Sequence, residues 1–344
     1  MLTFTTRWQY DFHLHPNDTT FLKKINRLFS KTVRYAIIIA NKNDLLPQKE
    51  DSMHQTGPMY RPPSEADTAL LQVTVGCSHN DCAFCTMYRA TQFAAAPENE
   101  ISEDLMENSR ETPDASRIYL LNGDPFILSF EKLMHISELI HKYLPKIEVI
   151  TCYCSIRDIM GKSEEQLYQL HKAGFDQLYV GLETAYEPAQ KYITKGHTLA
   201  QAGQCLDRLI SAGIGYHAML MLGIAGRGEG VNNAKATALF LNQHKPISVS
   251  LTTTAVSACS PLGKMLENGD FIEATERENI DEMFTLLSEL EMDENCRFVT
   301  THPLNSISVR GTFAEKERLL SEIKAFAAEY TDDELDSVLG RRSI

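Results

Sequence analysis

From about Asp67 onward, short apolar runs rich in β-branched residues alternate with amphipathic helical stretches, a pattern that few folds accommodate. Strands are expected at Leu70–Cys77, Arg117–Asn122, Ile147–Cys154, Gln177–Glu183, Gly215–Ile224 and Ile247–Thr254. Helices are expected between them near Ile101–Arg110, Phe130–Tyr143, Glu164–Ala173, Leu199–Ala212 and Asn232–His244. Ser163 with Gln166, and Thr198 with Gln201, have capping-box spacing, in which each side chain satisfies a free N–H of the first turn. Gly174 and Gly213 fall where a helix ends in a left-handed residue. Six strands with helical crossovers predict an α/β fold, a partial, open (βα)6 TIM-like barrel over residues 59–265. Residues 266–344 form a C-terminal helical segment, with helices near Ile280–Leu290 and Ala314–Glu329. Residues 1–58 carry no clear period and read as an N-terminal extension; translation starting at Met53 or Met59 is the alternative. Met59–Asp67 (MYRPPSEAD) reads as the linker leading into the barrel.

The chain has 344 residues, 43% apolar and 23% charged, enough for a sizeable core without disulfides. Its formal net charge of −13, with no Lys/Arg stripe, disfavours a nucleic-acid partner, since phosphate neutralisation supplies most of that affinity. The longest apolar run near the N-terminus, Ala36–Ala40, is far too short to cross a bilayer. A cytoplasmic protein with no membrane association is therefore expected.

Three of the eight cysteines crowd into the loop Gly76-Cys77-Ser78-His79-Asn80-Asp81-Cys82-Ala83-Phe84-Cys85, directly after the first expected strand. Thiolates are soft ligands for iron–sulfur clusters or zinc. Three in one loop can hold three corners of a cubane and leave the fourth iron open for chemistry. Gly76 lets the backbone approach such a cluster closely. The competing assignment is a zinc site completed by His79, whose donor types also fit.

The loop resembles the motif of the radical S-adenosylmethionine (SAM) superfamily, usually Cx3CxxC with an aromatic residue before the last cysteine. Here the spacing is Cx4CxxC, one residue longer, with Phe84 in the aromatic place. The stretch RPPSEAD…LLQVTVGCSHNDCAFCTMY is similar to an iron–sulfur oxidoreductase branch related to oxygen-independent coproporphyrinogen oxidase and tRNA methylthiotransferases. The similarity runs from about Tyr60 to about Phe326, most of the chain.

The resemblance implies a [4Fe–4S] cluster on Cys77, Cys82 and Cys85, and SAM cleaved reductively to a 5′-deoxyadenosyl radical that abstracts hydrogen from substrate. It further implies that Asn122-Gly123-Asp124 meets the SAM amino group. Glu183 and Thr184, at the end of the fourth strand, would meet the ribose or amino group. Lys195 or Arg157 would pair with the carboxylate, and Gly223 in LGIAG would lie by the adenine. These positions fall at strand C-termini, where α/β-barrel enzymes build their sites. A flavodoxin or ferredoxin is expected as reductant.

The radical's target is less constrained. Acidic charge favours a small molecule; the alternatives are the same chemistry on tRNA or protein, or a non-enzymatic zinc or cluster carrier. No cobalamin-binding segment is recognisable ahead of the barrel, and no cysteine-rich extension behind it. Cys152 and Cys154 share a strand face and would reach substrate if that face is the lumen. His217, Met219 and Met221 also share a face, with core packing as the default. His302 and Asn305 either close over the site or form a surface turn.

Overall fold

The computed structural model describes residues 54–338; the expected N-terminal extension up to residue 53 lies outside them. The chain opens with β1 (Ala69–Leu71), then a two-stranded antiparallel ribbon of β2 (Thr74–Val75) and β3 (Ala94–Ala95). Helix α1 (Glu98–Glu111), β4 (Arg117–Leu120), α2 (Phe130–Tyr143) and β5 (Val149–Cys154) follow. After α3 (Ile156–Met160) and α4 (Glu164–Lys172) come β6 (Phe175–Glu183), α5 (Glu187–Ile193), α6 (Leu199–Ser211) and β7 (Gly215–Leu222). Helix α7 (Gly230–Gln243), β8 (Ser248–Thr253), α8 (Pro261–Asn268) and α9 (Glu276–Glu289) lead to β9 (Arg297–Val299) and β10 (Arg310–Thr312). Helices α10 (Lys316–Glu329) and α11 (Asp332–Val338) end the described chain.

The main sheet has eight strands in the order β1-β4-β5-β6-β7-β8-β9-β10. All neighbours are parallel except β9 and β10. This is the expected open α/β barrel, extended by two strands from the segment after residue 265. Both anticipated capping boxes are complete, at Ser163/Gln166 and Thr198/Gln201. Gly174 and Gly213 take φ of +98° and +87°, the left-handed helix ends anticipated for them.

One expected strand divides. Residues 70–77 were to run continuously, but the chain leaves the sheet after Leu71: the Gln72 side chain pairs with both the N–H and the carbonyl of Thr56. The Val73 carbonyl then accepts from Ala96 as the β2–β3 ribbon begins. The cysteine loop therefore hangs from the ribbon and not from a sheet strand.

Strand alternation sorts the core. Ile118, Leu120, Cys152, Cys154, Leu178, Val180, Ala218 and Leu220 join the large apolar core with α1, α2, α6 and α7. Cys152 and Cys154 thus face the helices, so the possibility that they touch substrate from the lumen is withdrawn. The opposite parity faces the lumen, where Tyr119, Tyr153, Tyr179 and Met219 cluster.

The expected linker is part of the fold. Pro63–Glu65 makes a 3-10 turn, and Glu65 is 2% exposed at the N-terminal ends of the strands. Arg117 grips its carboxylate at 2.7–3.1 Å, with Tyr179 Oη at 2.5 Å and Thr68 Oγ1 at 2.6 Å. Burial alone would raise the Glu65 carboxyl, but these bonds hold it below the usual carboxylate range. Beside it His217 stacks on Tyr179, ring centroids 4.2 Å apart. Its Nδ1 is 2.7 Å from Ser248 Oγ, and Nε2 is 3.3 Å from Gln177 Oε1. Burial, with Arg297 and Arg117 nearby, pushes His217 down to about 3, so the ring is neutral. His217 is thus a satisfied core residue. Asn305 is structural too: it accepts from Thr253 and donates to the Leu251 and Thr300 carbonyls, tying the THPLNS turn to β8, while His302 Nδ1 accepts from Leu304 N–H.

Candidate active site

Gly76, at φ +75°, turns the chain out of β2 into the cysteine loop. Cys77, Cys82 and Cys85 are free, half-buried thiols. Distant segments hold the loop. Asp124 accepts from Ser78 N–H at 2.8 Å and Ser78 Oγ at 2.5 Å. Ala83 donates to the Ile193 carbonyl and accepts from Leu262 N–H, while Thr194 Oγ1 donates to the Asp81 carbonyl at 2.6 Å. Gly123 lies against the loop so closely that an added Cβ would stand 2.6 Å from Cys77 Cβ and 2.9 Å from the Gly76 carbonyl oxygen. Only glycine fits there. Phe84 packs with Ile193, Ile224, Leu262 and Phe271, which anchors the loop's far side.

A second arc of groups faces the thiols. Lys195 Nζ donates to Glu183 Oε1 at 2.8 Å and lies 6.0 Å from the Phe84 ring centroid. Burial would lower the Lys195 ammonium, but the charges of Glu183 and the cysteines outweigh it and raise its pKa. Gly181 permits the pair, because a Cβ there would meet Glu183 Oε1 at 2.8 Å and Lys195 Nζ at 3.0 Å. Arg157, after β5, points a guanidinium nitrogen at His79 Nδ1, 2.6 Å away. Among the described residues, the non-glycine positive-φ positions are Asn80, Asn122, Glu183 and Thr194, all at this end of the barrel. Strain of this kind persists where surrounding structure fixes it, and it gathers at functional sites.

Phe84, Asn122, Gly123, Asp124, Arg157, Glu183 and Lys195 are therefore assembled around the three cysteines. Within that group Asn122 is wholly buried: its amide donates to the Thr74 carbonyl and accepts from Tyr88, so its side chain braces the turn. Two anticipated residues sit elsewhere. Thr184 is fully buried, with its hydroxyl engaged by Asn233 and Tyr186 N–H. Gly223 donates its N–H to buried Glu282 at 2.8 Å, and only the next residue, Ile224, reaches the Phe84 cluster. Arg89, which donates to three loop carbonyls, was not anticipated. A cation shortly after the last cysteine was the sole sequence signal for it.

The donor set suits a cubane better than zinc. His79 accepts from Arg157 through Nδ1 and donates from Nε2 to the Thr194 carbonyl at 2.6 Å; guanidinium only donates and carbonyl only accepts, so its tautomer is fixed. Neither nitrogen is left for a metal. Among the described residues, no three His, Cys, Asp or Glu side chains converge as the ligands of a single ion would. Burial raises all three thiols, Cys77 to about 12, with Asp124 adding to the effect there.

Three thiols on one loop, set at the C-terminal ends of a parallel barrel, are the arrangement a cluster-dependent enzyme would use. The family model of the radical SAM superfamily matches residues 71–240, and the chain belongs to that superfamily. Members of that superfamily are enzymes that use a [4Fe–4S] cluster to cleave SAM reductively. No curated protein matches the chain. Similar solved structures include the methyltransferase TsrM from Kitasatospora setae, 16% identical, with TM-score 0.48, covering 58% of this chain and 39% of its own. Methylornithine synthase (PylB) is 12% identical, with TM-score 0.48 over 79% of this chain and 85% of its own. Coproporphyrinogen III oxidase (HemN) from Escherichia coli is 12% identical, with TM-score 0.43 over 76% and 52%. The chain thus spans about two fifths of the first solved structure it matches. Among the described residues, no helix is long and apolar enough to cross a membrane.

Proposed function

We propose that Cys77, Cys82 and Cys85 hold the cluster, and that the adjoining charged arc orients SAM for attack on a small-molecule substrate in the lumen. When bound, the cluster supplies one electron to the SAM sulfonium, releasing methionine and a 5′-deoxyadenosyl radical that takes hydrogen from substrate. The chain's own groups divide the remaining work. Asp124, fixed by two bonds from Ser78, offers a carboxylate for the SAM ammonium. Lys195 and Arg157 are cations within reach of the loop for the carboxylate, and Glu183 is an acceptor for the ribose hydroxyls. Gly123 and Gly181 keep these groups close by having no side chain.

The observation carrying this reading is the placing of the three-cysteine loop beside Asp124, Lys195, Glu183 and Arg157 at one barrel end. The adjoining lumen presents the half-buried Tyr153, Met219, Met221, Ser250 and Thr252, uncharged and close-set, which favours a small neutral molecule. A flavodoxin or ferredoxin is the matching reductant. Anaerobic reconstitution with iron and sulfide tests the proposal. Brown protein that forms 5′-deoxyadenosine from SAM and dithionite is the expected result. Colourless protein with stoichiometric zinc would overturn it.

A further inference from the structure

Arg89 lies four residues beyond Cys85, outside every role assigned so far. Its Nε donates to the Cys85 carbonyl at 3.0 Å, Nη1 to the Asn80 carbonyl at 2.8 Å and Nη2 to the Cys82 carbonyl at 2.6 Å. A single rigid plane of donors therefore fixes the carbonyls of two proposed ligand residues and of the residue where the loop bends backward. That bend is Asn80, at φ +42°, whose amide also donates to the Tyr88 carbonyl at 2.7 Å. It falls between the first two cysteines, where the spacing is one residue longer than usual. The ion pair from Arg89 to Asp81, at 3.7 Å on a side chain 73% exposed, is too wet to explain the arrangement.

We propose that Arg89 is a positioning residue for the cluster: its fork gathers the lengthened loop so that Cys82 and Cys85 present their sulfurs together, and its charge makes the cluster easier to reduce. The proposal rests on the assignment of Cys77, Cys82 and Cys85 as ligands. Mechanically, a guanidinium can hold several carbonyls at fixed spacing, whereas an ammonium is a point charge that cannot hold them as one plane. Electrostatically, a cation beside the cluster favours the reduced, more negative state, and charge and hydrogen bonding around the sulfurs are what set such potentials.

The two contributions separate in Arg89→Gln, which loses both fork and charge, and Arg89→Lys, which keeps the charge. Full-length wild type and variants are reconstituted anaerobically, then compared by rate of iron release to a chelator and by midpoint potential in an EPR-monitored redox titration. Arg89→Gln is expected to release iron about tenfold faster, as outer-shell ligand losses do, and to show a more negative midpoint. Arg89→Lys is expected to recover the midpoint while still releasing iron faster than wild type. Wild-type release and midpoint in Arg89→Gln would overturn the proposal; faster release with an unmoved midpoint would overturn its electrostatic half. If circular dichroism shows Arg89→Gln unfolded, Arg89→Lys decides alone, and a wild-type release rate there overturns the clamp. Wild type that takes up no cluster would instead remove the ligand assignment, and the clamp with it.

Discussion

Lys195 Nζ sits 2.8 Å from Glu183 Oε1, with the two side chains only 10% and 13% exposed, so each charge depends on the other for company in a nearly dry setting. Replacing one member leaves the other uncompensated, whereas removing both leaves little imbalance. Lys195→Met is expected to lower unfolding free energy by about 3 kcal/mol, with the Lys195→Met/Glu183→Gln double variant regaining most of it. Urea denaturation of all three proteins measures this. Equal loss in the single and double variants would show the pair is uncoupled.

A methyl group at residue 123 would collide with Cys77 Cβ, yet the large apolar core lies on the helix side of the sheet, away from it. Gly123→Ala should therefore fold with a cooperative transition and fail to retain iron. Iron content per chain, read beside the near-UV spectrum, checks both halves; full iron loading would mean that the loop can retreat.

Serine in place of Cys77, Cys82 or Cys85 keeps size and polarity but replaces a soft donor with a hard one. Each single variant is expected to lose the visible absorption of the cluster and the formation of 5′-deoxyadenosine. Serine in place of Cys152 or Cys154, both on the helix-facing side, should keep both and lower only stability.

Stability should also depend on pH through Glu282. Burial raises its carboxyl to about 8, against bonds from Gly223 N–H and Asn233 that lower it. The folded protein then holds a proton that the unfolded chain has released above an ordinary carboxylate pKa near 4.5. Stability is therefore fullest below that value and declines as pH rises toward about 8. Glu282→Gln, which stays neutral, is expected to flatten this slope. Melting temperatures from pH 5 to 9, compared as a difference between the two proteins, test it; parallel curves would exclude Glu282 as the source.

Much of this was legible before the structure, and the gaps have physical causes. β4 through β8 carry apolar runs of four to nine residues set off by helical stretches, so they fall within a residue or two of expectation. β9 and β10 are three residues each, too short for a period; only the sheet edge beside them makes them strands. Parity revealed that Cys152 and Cys154 share a face, but which face depends on where the helices pack. His79 has the chemistry of a zinc ligand by composition alone. What decides otherwise is Arg157, 78 residues away, and Thr194, 115 residues away. The Thr184 hydroxyl is turned to Asn233, a partner that α7 supplies and that local sequence does not show.

An eight-stranded sheet that does not close has two borders of unpaired backbone, which in other settings invite stray strands to join. Here the borders are Ala69–Leu71 and Arg310–Thr312, each a single short run of three residues. So brief a template offers an intruding chain few bonds in register. The wall can stay parted, leaving the lumen wider than a closed ring of the same strands, without making the molecule adhesive.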